Sequence, residues 1–207
     1  MVKILKIGVT GSAGSGKSMV LKAFKALGLV TLDCDEIARQ VTRPGQKAHK
    51  RIVELFGPDA VLADGTLDRA GLRNLMVADP ELRKGLEAIL HPVILEELFF
   101  QIRHAQYRRE LACAAEVPLL FELGLEDRFD AVVTVAAQES DLARRVAQRD
   151  KVSRAEARGI LGLQMAQDKK KQLADHVVEN RGSLSRLEER VFQIYQALKK
   201  EFLTKNR

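Results

Sequence analysis

The sequence predicts an α/β fold in which helices flank a parallel β-sheet, and three successive segments near its amino end support this prediction. A β-branched run at 3–10 ends abruptly in glycines, as a strand that enters a loop does. A helical pattern begins near Lys17 and stops at Gly28, a typical residue just past a helix end, and a second apolar run follows at 29–32. A strand, a helix and a strand joined by so short a crossover favour a parallel sheet.

The next segment, 43–109, has mostly helical periodicity and no convincing strand, so we interpret it as a helical insertion. Pro92 lies within it and is expected to kink or restart a helix, because proline lacks a donor and clashes with the preceding turn. Strand signals return at 111–120, 131–135 and 176–178.

The last segment carries apolar residues at spacings of three and four from Leu184 to Phe202, which predicts a helix that docks on the sheet. The predicted core therefore consists of 1–42, 110–138 and 172–207.

Composition sets bounds on the class of protein. The 207 residues suffice for one sizeable domain with an insertion, and a net charge of +6 mildly favours polyanionic ligands such as nucleotides. The longest uncharged runs are shorter than the roughly 18 apolar residues that a membrane span requires. Cys34 and Cys113 form no disulfide framework or zinc motif, so we expect a reducing cytoplasm as the location and no membrane partner.

A phosphate-binding loop is the most specific motif in the chain. The pattern G-x-x-x-x-G-K-[ST] is matched by Gly11-Ser12-Ala13-Gly14-Ser15-Gly16-Lys17-Ser18. Glycines let main-chain N–H groups converge on an anion, and the amino end of a helix adds positive potential there. Lys17 can reach the β- and γ-phosphates and Ser18 can bind Mg²⁺. The sequence therefore predicts a site for ATP and Mg²⁺.

Carboxylates follow the second predicted strand. Asp33 and Asp35 stand at its carboxyl end, where ligands gather in open α/β sheets. Asp33 could accept the proton of an attacking hydroxyl, whereas Asp35 could instead cap the following helix.

Two further residues have both a functional and a structural interpretation. Glu122 ends the apolar run 117–121, and it either helps to hold Mg²⁺ or pairs with a lysine. His91 in the helical insertion either binds substrate or has a structural role. No second histidine is spaced from it as a pair of metal ligands would be.

The stretch 139–171 is rich in arginine and lysine. Arg145 and Arg149 lie four residues apart, so they share a helix face. Guanidinium groups that approach a γ-phosphate when a lid closes exclude water and neutralise charge. We interpret 139–171 as such a lid.

Taken together, these motifs resemble the dephospho-coenzyme A kinase family over nearly the whole chain. The residues that carry the resemblance are Gly8-Val9-Thr10-Gly11 with the loop, Asp33-Cys34-Asp35 with Ala38-Arg39, Gly65-Thr66-Leu67-Asp68-Arg69, His91-Pro92, Val117-Pro118-Leu119-Leu120-Phe121-Glu122, Arg145, Arg149-Asp150, Gln164, Ala174-Asp175 and Asn180. Individual motifs occur in other proteins, but this order and spacing are specific.

The resemblance implies a P-loop NTPase-type kinase with a nucleotide core, a helical domain at 43–109 for dephospho-CoA and a lid. It implies that Asp33 takes the proton from the ribose 3′-hydroxyl, that Lys17 and Arg145 stabilise the transferring phosphoryl group, and that Arg149 and Asn180 contact ATP. It further implies substrate contacts from Asp35 and His91. Two departures from the family pattern are visible: Ser12-Ala13 stand where the family commonly has Gly-Ile, and Leu142 stands where a glutamine often precedes the first lid arginine by three residues.

Two alternatives remain open from the residues alone. A nucleoside or nucleoside monophosphate kinase shares the loop, lid and size. A nucleic-acid-binding ATPase would fit the positive charge, but two tyrosines and no tryptophan leave few stacking platforms, so we expect no nucleic-acid partner. The sequence favours a monomer without deciding the oligomeric state.

Overall fold

The computed structural model describes residues 3–206. They divide into two compact units: the first comprises the chain up to Asp33 and from Ile102 onward, and the second comprises Cys34–Gln101. Within the described part, the elements in chain order are β1 (Leu5–Thr10), α1 (Lys17–Ala26), β2 (Val30–Asp33), α2 (Cys34–Val41), α3 (Lys47–Phe56), α4 (Arg69–Ala78), α5 (Pro80–Tyr107), β3 (Ala112–Glu116), β4 (Ala131–Ala136), α6 (Glu139–Asp150), α7 (Arg154–Gly162), α8 (Gln167–Leu173), β5 (His176–Glu179) and α9 (Leu184–Lys205).

The first unit is built on a parallel sheet with strand order β2-β3-β1-β4-β5 in the described residues. The inner strand β1 is buried on both faces, as a β-branched run without strict alternation predicts. α1 and α9 pack against the sheet through Phe24, Val191 and Ile194, which share one apolar core with the strands. The predicted α/β class with a flanked parallel sheet is therefore confirmed, as is the docking of the last helix.

The third strand is shorter than the sequence predicts. β3 ends at Glu116, and the run from Pro118 onward forms turns. Val117 still donates its main-chain N–H to Val9 O at 2.8 Å, but Pro118 has no N–H with which to continue the ladder. The carboxyl end of this strand is consequently an acid, Glu116, rather than Glu122.

The second unit is helical and has an apolar core of its own, to which Ile52, Leu72 and Leu86 contribute. α5 continues through Pro92 and does not restart there. A proline inside a helix costs about 3 kcal/mol, whereas burying one large aliphatic side chain gains about 1.5–3 kcal/mol. The burial of Leu86 and Ile89 on α5 is enough to offset that cost.

Within residues 3–206, each helix is either too short or too polar to cross a lipid bilayer.

Candidate active site

The phosphate-binding loop connects β1 to α1, so it emerges from the carboxyl end of an inner strand of the sheet. Gly16, immediately before α1, has a φ of 98°, a conformation that side chains rarely tolerate. A Cβ at Gly16 would also collide with the amide nitrogen of Asn180. That nitrogen donates to Ser15 O at 2.8 Å, so the missing side chain leaves room for a contact that fixes the loop.

Two further contacts hold the loop from the other side of the motif. Ala13 donates its main-chain N–H to Gln164 Oε1 at 2.9 Å. Gly14 O accepts from Arg145 Nη1 at 3.1 Å. Side chains from distant segments of this chain therefore hold the loop in place, and a preorganised loop is what electrostatic stabilisation of phosphates requires.

Lys17 is the first residue of α1, and its side chain is only 8% exposed. Its Nζ donates to Ser12 O at 3.3 Å and lies 3.8 Å from Glu116 Oε1. Glu116 is as buried as the lysine. The sequence analysis missed this acid because it predicted that the strand would run past it.

Asp33 ends β2 directly beside Glu116. The two residues are register partners on adjacent parallel strands, which lie about 4.8 Å apart. Asp33 is half-buried, so it can meet both solvent and a ligand. The carboxyl edge of the sheet thus brings together a lysine and two carboxylates.

Asp35 is exposed in the first turn of α2, where an acidic side chain favourably meets the amino end of a helix. His91 lies on α5 in the second unit and is half-buried. Burial lowers the pKa of His91 below its ordinary value, and the neighbouring Glu87 opposes that shift. The lowered pKa favours the neutral imidazole.

Glu122 makes an ion pair rather than facing the loop. Lys170, which is fully buried, donates from Nζ to Glu122 at 2.8 Å and to Pro118 O at 2.8 Å. Glu122 Oε1 also accepts the Met165 main-chain N–H at 2.9 Å. Burial lowers the pKa of Lys170, while Glu122 favours its charged form. The lysine-paired alternative of the sequence analysis is thus the one that the geometry favours.

The donors near the loop suit a hard cation. Ser18 is exposed in the first turn of α1, immediately after Lys17, and Asp33 and Glu116 stand at the ends of two adjacent strands, so the donors that these three residues offer are all oxygen. Mg²⁺ uses one or two protein oxygens and otherwise binds phosphates and water.

The predicted arginines lie on α6 as expected, but they have different partners. Arg145 faces Gly14 O and lies 3.6 Å from Asp141. Arg149 makes two hydrogen bonds of 2.9 Å to Asp150, the next residue. Arg145 thus contacts the loop directly.

Ser15 completes the loop with a buried hydroxyl that finds no hydrogen-bond partner among residues 3–206. A buried polar group without a partner costs free energy, so its presence at a loop of this type points to a ligand with acceptor atoms.

The family model described as "Dephospho-CoA kinase" matches residues 5–186. A dephospho-CoA kinase from Geobacter metallireducens is 39% identical over 205 residues, which cover 98% of this chain and 99% of the relative.

Two solved structures are similar over 95% of this chain and 98% of their own. TT1252 from Thermus thermophilus has a TM-score of 0.79 at 35% identity. A dephospho-CoA kinase from Campylobacter jejuni has a TM-score of 0.68 at 24% identity and shows likeness of fold alone.

Proposed function

This chain belongs to the dephospho-CoA kinase family, and we propose from that premise that it transfers the γ-phosphoryl group of ATP to the ribose 3′-hydroxyl of dephospho-CoA. The products are coenzyme A and ADP. The observation that carries the proposal is the meeting of Lys17, Glu116 and Asp33 at the carboxyl edge of the sheet, beside an ordered phosphate-binding loop.

ATP binds with its phosphates on the loop 11–18. The main-chain amides of the loop and the amino end of α1 are fixed dipoles that give positive potential there. Lys17 begins α1 beside the loop, where its ammonium can donate to the β- and γ-phosphate oxygens. Its positive charge stabilises the phosphoryl group as negative charge develops on it.

Asp33 acts as the general base. Its carboxylate accepts the proton of the 3′-hydroxyl while that oxygen forms a bond to the γ-phosphorus, and the bond from the γ-phosphorus to the β-bridging oxygen breaks. ADP leaves with the electron pair of that bond. A half-buried carboxylate at a strand end is reachable for an incoming alcohol and keeps a fixed direction.

Mg²⁺ fits the oxygen donors at this edge, and Ser18 and Glu116 are the residues that would hold it. Such an ion neutralises charge on the β- and γ-phosphates. We assign this part to Glu116 in preference to Glu122, because Lys170 and the Met165 amide already engage Glu122.

The remaining roles follow the family pattern. Arg145 stabilises the transferring phosphoryl group, Arg149 and Asn180 contact ATP, and Asp35 and His91 bind dephospho-CoA. Asn180 has a second duty in this chain, since it also fixes the loop at Ser15 O.

The test is an ADP-release assay with dephospho-CoA, compared at equal concentration with adenosine, AMP and CMP. We expect turnover with dephospho-CoA to exceed that with the others by at least about 100-fold, and ³¹P NMR of the product should show a new 3′-phosphomonoester. Comparable turnover of a nucleoside monophosphate would contradict the proposal.

A further inference from the structure

The third residue of the phosphate-binding loop is held in two ways. The Ala13 N–H donates to the side-chain oxygen of Gln164 at 2.9 Å, a contact between residues 151 positions apart. The Ala13 methyl group is buried in an apolar cluster formed by α6 and α7, with Val146 and Ala157 at its centre. A residue fixed at both its peptide and its side chain has little freedom to reorient.

Gln164 shortly precedes α8, which hydrogen bonds join to β4 and to the residue after that strand. The Gln167 side chain makes two hydrogen bonds of 2.9 Å with the main chain of Ala137, just past β4. Thr134 Oγ1 donates to Lys170 O at 3.2 Å. Gln164 is therefore followed by a helix that hydrogen bonds fix to the sheet.

The ion pair between Glu122 and Lys170 also holds this segment. Glu122 Oε1 accepts the main-chain N–H of Met165, the residue that follows Gln164. A buried, hydrogen-bonded lysine with a paired carboxylate resists displacement, since separating the two would leave an uncompensated charge. Glu122 thus contributes to the position of Gln164 through one peptide group.

We propose that Gln164 is a positioning residue for phosphoryl transfer: its amide oxygen holds the Ala13 peptide, and with it the loop, in the orientation that the transition state requires. The inference deepens the proposed function and rests on it for its kinetic consequences. It assigns no contact between Gln164 and the substrates.

The residue type supports this role. A glutamine oxygen accepts the Ala13 N–H as a neutral group, so it orders the loop without adding negative charge. A glutamate would accept the same bond but would repel the phosphates, and a leucine would fill the space without accepting. Comparing glutamine, glutamate and leucine at position 164 therefore distinguishes the effects of the hydrogen-bond acceptor, of negative charge and of side-chain volume.

The experiment compares Gln164→Leu and Gln164→Glu with the unmodified protein. We expect Gln164→Leu to lower kcat about tenfold, the value of one hydrogen bond worth about 1.4 kcal/mol, while the KM for ATP changes less than about threefold. Gln164→Glu should retain more of kcat than Gln164→Leu and raise the KM for ATP about tenfold. In ¹H–¹⁵N spectra, the Ala13 amide proton should move upfield in Gln164→Leu and stay near its original position in Gln164→Glu.

Gln193→Leu is the matched control, since it removes a glutamine side-chain hydrogen bond of 2.9 Å, to Glu189 on α9, and none from the loop or from the segment that holds Gln164. We expect kcat to change less than about threefold. The proposal is overturned if Gln164→Leu retains full kcat, if Gln193→Leu loses as much kcat as Gln164→Leu, or if the Ala13 resonance is unmoved by Gln164→Leu. Absence of turnover with dephospho-CoA in every protein, with the Ala13 shift and changed ATP binding retained, would instead count against the proposed function alone.

Discussion

Lys17 and Lys170 are both buried lysines, and each faces a glutamate at one end of the run 116–122. The inner pair, between Lys170 and Glu122, is short at 2.8 Å, and its lysine also donates to a main-chain carbonyl. The pair at the loop, between Lys17 and Glu116, is long at 3.8 Å. The tight pair at Lys170 fixes the structure, whereas the loose pair at Lys17 places an ammonium beside the phosphate-binding loop, where phosphate oxygens can bind it.

Lys17→Met breaks the loose pair and should have the largest effect. We expect kcat to fall by about 10³- to 10⁵-fold, the range found when a cation that neutralises a transferring phosphoryl group is removed. ADP release under saturating ATP measures this, with Tm as the check on folding. Retention of more than a tenth of kcat would remove Lys17 from the mechanism.

Asp33→Asn tests which of the two acids, Asp33 or Glu116, is the general base at the edge of the sheet. Loss of a general base should lower kcat by roughly 10²- to 10⁴-fold, with ATP affinity retained. Glu116→Gln provides the comparison, since a metal-holding acid should shift the Mg²⁺ concentration needed for half-maximal rate. A dependence on Mg²⁺ that shifts for Asp33→Asn but not for Glu116→Gln would reverse the two roles.

Glu122→Leu breaks the tight pair. Because it leaves the buried Lys170 ammonium without its carboxylate partner, the free energy of unfolding should fall by about 3 kcal/mol, measured by urea denaturation. The double variant Lys170→Met/Glu122→Leu should recover much of this loss, since no charge is then left buried. Equal losses in the single and double variants would show that packing, not charge, explains the effect.

Arg145→Ala removes a contact to the loop and should have a smaller effect, about 10- to 100-fold in kcat, with ATP affinity less affected. Arg144→Ala is the matched control, because Arg144 is bonded to Asp141 on the same helix and not to the loop. If both variants lose kcat equally, the effect belongs to the helix and not to the guanidinium at Gly14.

His91 extends the comparison to the second unit and should give the smallest effect. Its pKa is lowered in the folded protein, so the unfolded chain binds more protons as pH falls below about 6.5. Its contribution to stability is therefore complete above pH 6.5 and is lost as pH falls through the folded pKa. Urea denaturation at pH 8 and pH 5.5 should show a shallower pH dependence for His91→Asn than for the unmodified protein, and an unchanged slope would contradict this.

Local patterns predicted most of the first unit. The strand, glycine loop and helix at 3–28 depend on neighbouring residues, so the sequence contains what is needed to predict them. The predicted end of β3 was wrong because the apolar run continues past Glu116. Hydrophobicity does not reveal that Pro118 lacks the N–H needed to extend the strand. The continuity of α5 through Pro92 depended on burial, which only the folded unit reveals.

The contacts that order the site were harder to predict. Gln164 belongs to the family pattern, but nothing in its local sequence indicates a bond to Ala13. Lys170 likewise lies in a run of three lysines that resembles an exposed surface, although it is fully buried. Such pairs form only when the sheet brings distant segments together, and a pattern read along the chain does not register them.

The packing of the Ala13 methyl group has a consequence for how this enzyme can diversify. Since Val146 and Ala157 enclose a side chain of the loop, we expect changes in their bulk to alter nucleotide affinity through the loop. A larger residue at position 13 would need smaller neighbours at these two positions to fit the same space.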